Sequence, residues 1–138
     1  MNVYKGVCHP SLCDLMGHMT TRHYIAMFDD ASYHFLHSVF GWSGEQAKAE
    51  KIGWADVRHL IEYQAEVAEG DLLDITAALV KVGNKSITVN YHMRNISRDE
   101  LAATLESTSV YFDLQARVAM PITAAMREAA QVHLPSHT

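Results

Sequence analysis

The chain has 138 residues, 49% of them apolar and 20% charged, with a formal net charge of -5. That length suits one compact domain spanning residues 1–138, and the apolar content is enough to bury a core, which excludes a disordered chain. No Lys/Arg cluster marks a nucleic-acid-binding face, and no apolar run approaches the length of a membrane span.

The first ten residues, MNVYKGVCHP, carry one Lys and no apolar stretch. They do not read as a signal peptide, so a cytoplasmic location is expected. The two cysteines, Cys8 and Cys13, match no zinc or redox spacing and read as ordinary reduced thiols near a strand. Nine histidines raise the question of a metal, yet His34 and His37 share a helix face without a third ligand, so neither a metal nor a cofactor is expected.

In chain order, residues 3–9 predict a short strand anchored by Val3 and Val7. A loop from Pro10 to Met19 follows, holding Asp14, Gly17 and His18. Thr20 and Thr21 are N-cap candidates, because a Thr hydroxyl accepts from an unpaired amide of the first helical turn. From Arg22 to Phe40 the apolar period is helical: Tyr24, Phe28, Ala31, Phe35 and Val39, widened by Ile25, Met27, Leu36 and Phe40. So wide a stripe predicts a helix enclosed on most sides, with Gly41 as its stop and one of Asp29 and Asp30 as a buried acceptor. Ser43 caps a short polar helix over residues 44–51.

Beyond Gly53 the period becomes two. A strand is expected over 54–66, and Gly70-Asp71 marks a turn. Leu73, Ile75, Ala77 and Leu79 alternate up to Gly83-Asn84, and Ile87, Val89, Tyr91 and Met93 alternate after it, which predicts a long antiparallel hairpin. A further strand over 101–113 and a short helix over 122–132 complete the chain. One long helix ahead of a run of antiparallel strands is an α+β architecture, and its open sheet edges favour a dimer.

Asp14 stands seven residues before Thr21, close to the predicted helix start. A helix N-terminus presents unpaired N–H groups and partial positive charge, which can polarise a carbonyl and stabilise an oxyanion. A carboxylate beside it acts as nucleophile or general base. The residues alone leave a second reading open, in which Asp14 caps a turn and His18 packs.

The segment Asp14, Gly17-His18, Thr20-Thr21, Tyr24 and Phe28-Asp29 resembles the signature of the 4-hydroxybenzoyl-CoA thioesterase-like branch of the hotdog-fold superfamily. Val57 to Tyr63 and Gly70 to Leu73 resemble it further, and the likeness runs to about Pro121. The resemblance implies a curved antiparallel sheet wrapped around one helix. It also implies acyl-CoA thioester hydrolysis at the interface of a homodimer or homotetramer. On it, Asp14 is the catalytic residue, Thr21 supplies an oxyanion amide, and Gly17, His18, Thr20 and Tyr24 line the site. His59, on the next strand, is expected to bind the acyl group or a partner's Asp14, with an interface or surface histidine as the other reading. The stretch from Gly17 to Thr20 and Phe28-Asp29-Asp30-Ala31 also resemble the betainyl-CoA thioesterases. Two alternatives stand beside this reading: a hotdog hydratase or dehydratase, whose Asp-x-Asn-x-x-His pattern is not matched, and a non-catalytic dimer that holds an acyl ligand.

Overall fold

The computed structural model describes residues 1–135. Strand β1 (Asn2–Val7) leads through a 3₁₀ turn at Pro10–Leu12 to helix α1 (Thr21–Phe40) and the short helix α2 (Gly44–Glu50). Four long strands follow: β2 (Ile52–Tyr63), β3 (Leu72–Val82), β4 (Ser86–Asn95) and β5 (Glu100–Asp113). A two-residue strand β6 (Val118–Ala119) and helix α3 (Ala124–Gln131) end the described chain. The sheet runs β1-β3-β4-β5-β2, with β6 beside β5 and every pairing antiparallel. Among the described residues no helix is long and apolar enough to cross a membrane.

The alternating residues of β3 and β4 explain how the sheet meets the helix. Leu73, Ile75, Ala77 and Leu79 fall on one face, and Ile87, Val89, Tyr91 and Met93 on the matching face of the neighbour; all eight are buried. The hairpin register, Val82 with Ile87 through to Leu73 with Asn95, keeps the two sets together. Phe28 and Phe35 of α1, 0% and 1% exposed, pack against Tyr91 at ring distances of 6.4 and 6.2 Å. Each such side chain removed from water contributes about 1.5–3 kcal/mol. The sheet curls around α1, which is the hotdog arrangement that the resemblance implied.

Three expectations are corrected. The helix is not enclosed on most sides: Arg22, Ala26, Asp29, Asp30, Tyr33, His34 and His37 form an exposed stripe, because the sheet covers a single face. Neither Asp29 nor Asp30 is buried. The strand expected over 54–66 ends at Tyr63, and the residues after it leave the sheet. There the amides of Gln64 and Ala65 both donate to the Ala102 carbonyl, at 2.8 and 3.1 Å, and the chain turns towards the start of α1.

A buried polar knot holds the far end of this crossing. Asp71, 8% exposed, accepts from the amide of Ala68 at 2.9 Å and from the Asn95 side chain at 2.8 Å, with the Arg98 guanidinium at 3.3 Å. Burial alone raises the Asp71 pKa, but the amide of Ala68, the Asn95 amide and the Arg98 charge together outweigh it and hold the carboxyl below its ordinary value of 3.8. A carboxylate with a depressed folded-state pKa stabilises the fold fully above its ordinary value, and that contribution is lost as pH falls through the folded-state pKa. Asp71→Asn is therefore expected to destabilise the protein by about 2 kcal/mol near neutral pH, read from urea denaturation. The deficit should shrink below about pH 4, where wild type loses the same charge. An equal deficit at pH 7 and pH 3 would contradict this account.

Candidate active site

The loop before α1 is a tight excursion built on one side chain. Asp14 Oδ1 accepts from the amides of Met16 at 2.8 Å and His18 at 3.3 Å, an Asx turn that any Asp at this place favours. The backbone closes it: the Asp14 amide donates to the His18 carbonyl at 2.9 Å, and Gly17 to the Asp14 carbonyl at 3.0 Å. Gly17 makes this possible with φ at 82°, in the left-handed region that costs other residues about 1–2 kcal/mol. Asp14 Oδ2 has no hydrogen-bond partner among the described residues.

Two further bonds aim the helix. The Met19 amide donates to the Val67 carbonyl at 2.7 Å, and the Thr20 amide to the Leu12 carbonyl at 2.9 Å. Thr20 is the residue that precedes the helix, with φ -64° and ψ 141°, but its hydroxyl accepts no capping bond. The hydroxyl cap expected from the sequence is thus absent. The amides of Thr21 and Arg22, at the first two helical positions, have no acceptor among the described residues. They carry the positive end of a helix of 20 residues.

A cavity of about 320 Å³ opens at this point, lined by Asp14, Met16, His18, Met19, Thr21, Tyr24 and residues Tyr63 to Glu66. Of the residues expected from the sequence, Asp14, His18, Thr21 and Tyr24 share it. Gly17 and Thr20 shape the loop without lining it, and the Thr20 amide is committed to Leu12. His59 lies outside this cavity, on β2 itself, near Phe28 and Asp29 of α1 and with its Nε2 3.8 Å from Asp56 of the same strand. Partial loss of hydration against the strand, then the charges of Asp56 and Asp30, raises the Asp29 carboxyl pKa, with His59 opposing. Among the described residues no group of three or more His, Cys, Asp and Glu is placed to hold a metal ion.

Tyr63, Gln64, Ala65 and Glu66 went unpredicted as site residues. They reach the cavity through the crossing to Val67, a long-range contact that no local pattern in the sequence marks. Glu66 holds the His18 ring, whose Nε2 is 3.0 Å from Oε2. Tyr63 packs edge-on against Tyr24 at 5.0 Å. Burial pushes the Tyr24 phenol up to about 12, so near neutral pH it is an uncharged hydroxyl in the cavity wall. The site thus combines one anchored carboxylate, two unpaired amides at a helix start, and a wall that is part aromatic and part polar.

A model of the thioesterase-like superfamily matches residues 8–130. No curated protein matches the chain in sequence. Among solved structures, a hypothetical protein from Staphylococcus aureus in complex with CoA superposes with a TM-score of 0.88 at 16% identity, covering 100% of this chain and 89% of that one. A gentisyl-coenzyme A thioesterase superposes with a TM-score of 0.80 at 21% identity, covering 91% and 97%. A 1,4-dihydroxy-2-naphthoyl-CoA thioesterase from Synechocystis gives 0.78 at 17% identity, covering 91% and 92%. At these identities the superpositions establish the fold.

Proposed function

Because the chain belongs to the thioesterase-like superfamily, and is on that ground a thioester hydrolase, we propose that it cleaves an acyl-CoA to a free acid and CoA at the cavity beside Asp14. The observation that carries this reading is the division of labour within one carboxylate. Oδ1 is fixed by two amides while Oδ2 is left without a partner, in the same cavity as the unpaired amide of Thr21.

The thioester carbonyl lies against the start of α1, with its oxygen accepting from the amides of Thr21 and Arg22. As the carbonyl carbon becomes tetrahedral, the oxygen gains negative charge where the helix supplies positive. Asp14 Oδ2 acts as nucleophile or general base. As nucleophile it forms an anhydride with the acyl group while CoA leaves as thiolate, and water then cleaves the anhydride. As general base it removes the proton of an attacking water. His18, held by Glu66, and Tyr24 line the approach and position the substrate. The order of these residues supports placement near the 4-hydroxybenzoyl-CoA thioesterase-like branch.

The working unit is a homodimer or homotetramer joined along β2. That strand forms one edge of the sheet, and its Val57, Leu60 and Tyr63 side chains are 60%, 44% and 50% exposed. Antiparallel pairing of two copies of β2 brings the early residues of one towards Tyr63 of the other and closes the open side of the cavity. His59, on the same strand, then stands at the interface.

Asp14→Asn tests the reading. Asn keeps the shape and caps the turn equally well, but it is neither base nor nucleophile. A loss of at least about a hundredfold in kcat is expected, with the dissociation constant for acyl-CoA little changed. Near wild-type turnover on the best acyl-CoA would end the assignment of Asp14 as nucleophile or base and leave it as the cap of its turn.

The oxyanion site has its own test. Proline is well tolerated at the first helical position, and the extended backbone of Thr20 suits the residue before a proline. Thr21→Pro therefore removes an amide donor without breaking the helix. It should cost about 3 kcal/mol of transition-state stabilisation, on the order of a hundredfold in rate, while Thr21→Ala keeps substantial activity. Equal rates for two variants with wild-type circular dichroism would refute the assignment.

A further inference from the structure

Cys8 and Cys13 have no place in the mechanism, yet the fold brings their sulfurs together. Their Sγ atoms are 3.6 Å apart. The 3₁₀ turn between them produces this contact: the amides of Leu12 and Cys13 donate to the carbonyls of His9 and Pro10 at 2.9 and 3.1 Å, doubling the chain back. Pro10 opens that turn with its φ already fixed.

The two thiols differ in a way that suits them to react in sequence. Cys13 is partly exposed, whereas Cys8 is 0% exposed. The Cys8 backbone is also held on both sides, with its amide donating to the Asp71 carbonyl at 2.9 Å and its carbonyl accepting from the Gly70 amide at 2.7 Å. Burial, and then the contact with Cys13, pushes the Cys8 thiol up to about 12. Cys13 is therefore the thiol that an outside reagent reaches first, and Cys8 is the one waiting beside it.

We propose that Cys8 and Cys13 form an oxidation site, closing to a disulfide with peroxide and switching the neighbouring Asp14 loop out of its working geometry. The Cys13 sulfur attacks one oxygen of hydrogen peroxide. The O–O bond breaks, hydroxide leaves and takes up the thiol proton as water, and a sulfenic acid remains. The Cys8 sulfur then attacks Cys13 Sγ. The S–S bond forms, the S–O bond breaks, and hydroxide leaves with the Cys8 proton as a second water. Two electrons pass from the sulfurs to the peroxide, and a dithiol reductant reverses the change.

The mechanical consequence follows from which residue yields. Bonding requires the sulfurs to close to about 2.05 Å. Cys8 is tied at both its amide and its carbonyl to the Gly70-Asp71 turn that leads into β3, so Cys13 moves, and it carries the adjoining Asp14 with it. A misplacement of about 1 Å at a reacting group costs on the order of a hundredfold in rate. In a reducing compartment such a pair is a reversible sensor, and in an oxidising one it is a standing bond.

The expected effect on rate rests on the proposed thioesterase function; the bond itself does not. Reduced protein is treated with a small excess of hydrogen peroxide, and intact mass, non-reducing peptide maps and acyl-CoA hydrolysis are followed together. The intact mass should fall by about 2 Da, for two hydrogens lost, with Cys8 and Cys13 in one cross-linked peptide set. Hydrolysis should fall at least about tenfold and return with dithiothreitol. Cys13→Ser should show neither the mass loss nor the inactivation. An unchanged mass, or a gain of oxygens without hydrogen loss, overturns the site. A cross-linked enzyme of unchanged rate overturns the switch. If reduced wild type hydrolyses no acyl-CoA, the mass result still decides the bond, and the failure belongs to the thioesterase assignment.

Discussion

The candidate site depends on a clamp at the residues that precede α1. Met19 donates to Val67 and Thr20 to Leu12, so the chain is gripped from both sides one step before the helix begins. That grip fixes the direction of the helix axis against the sheet. It also settles which amides are occupied: Met19 and Thr20 have acceptors within the fold, and Thr21 and Arg22 have none among the described residues. A helix whose cap residue supplied a hydroxyl to its own first turn would have weakened the feature that the proposed chemistry uses.

The same clamp ties the site to the sheet. Val67, 0% exposed, follows the crossing from Tyr63, and that crossing is anchored at Ala102 on one side and at the Asp71 knot on the other. The cavity wall is therefore a strand extension held at both ends. Asp14 is anchored differently, by its own loop. Its carboxylate is bonded through one oxygen to two amides, which lowers the entropy cost of holding a charged group ready without neutralising its second oxygen. Rigid support comes from the sheet and a directed functional group from the loop, which is a common arrangement in enzymes.

Much of this was legible in the sequence, for a physical reason. The core faces of α1, β3 and β4 follow periods of 3.6 and 2, which survive any detail of packing. Asp14, His18, Thr21 and Tyr24 lie within eleven residues, so a loop and one helical turn suffice to gather them. What the sequence concealed is non-local. Gln64 to Glu66 continue the strand pattern but leave the sheet because Val67 is needed by Met19. Thr20 looks like a hydroxyl cap until its neighbours show that the cap bond is not made. The breadth of the apolar stripe on α1 overstated its burial, since Ile25 and Phe40 are only half-buried at its margins. Cys8 and Cys13 carry no recognisable spacing, and only the 3₁₀ turn brings their sulfurs together.

In the proposed mechanism the thioester carbonyl rests on the open amides at the start of α1. The most direct measurement uses ¹⁵N-labelled protein and an acyl-CoA analogue in which a methylene replaces the thioester sulfur and the carbonyl is kept, so that binding occurs without cleavage. The amide resonances of Thr21 and Arg22 should move downfield on saturation, as new hydrogen bonds form to the carbonyl. Thr20, already bonded to Leu12, should move less. If Thr21 and Arg22 stay in place while the shifts gather at the far end of α1, around Trp42 and Trp54 in the cavity of about 370 Å³ there, the thioester binds elsewhere and the account is wrong.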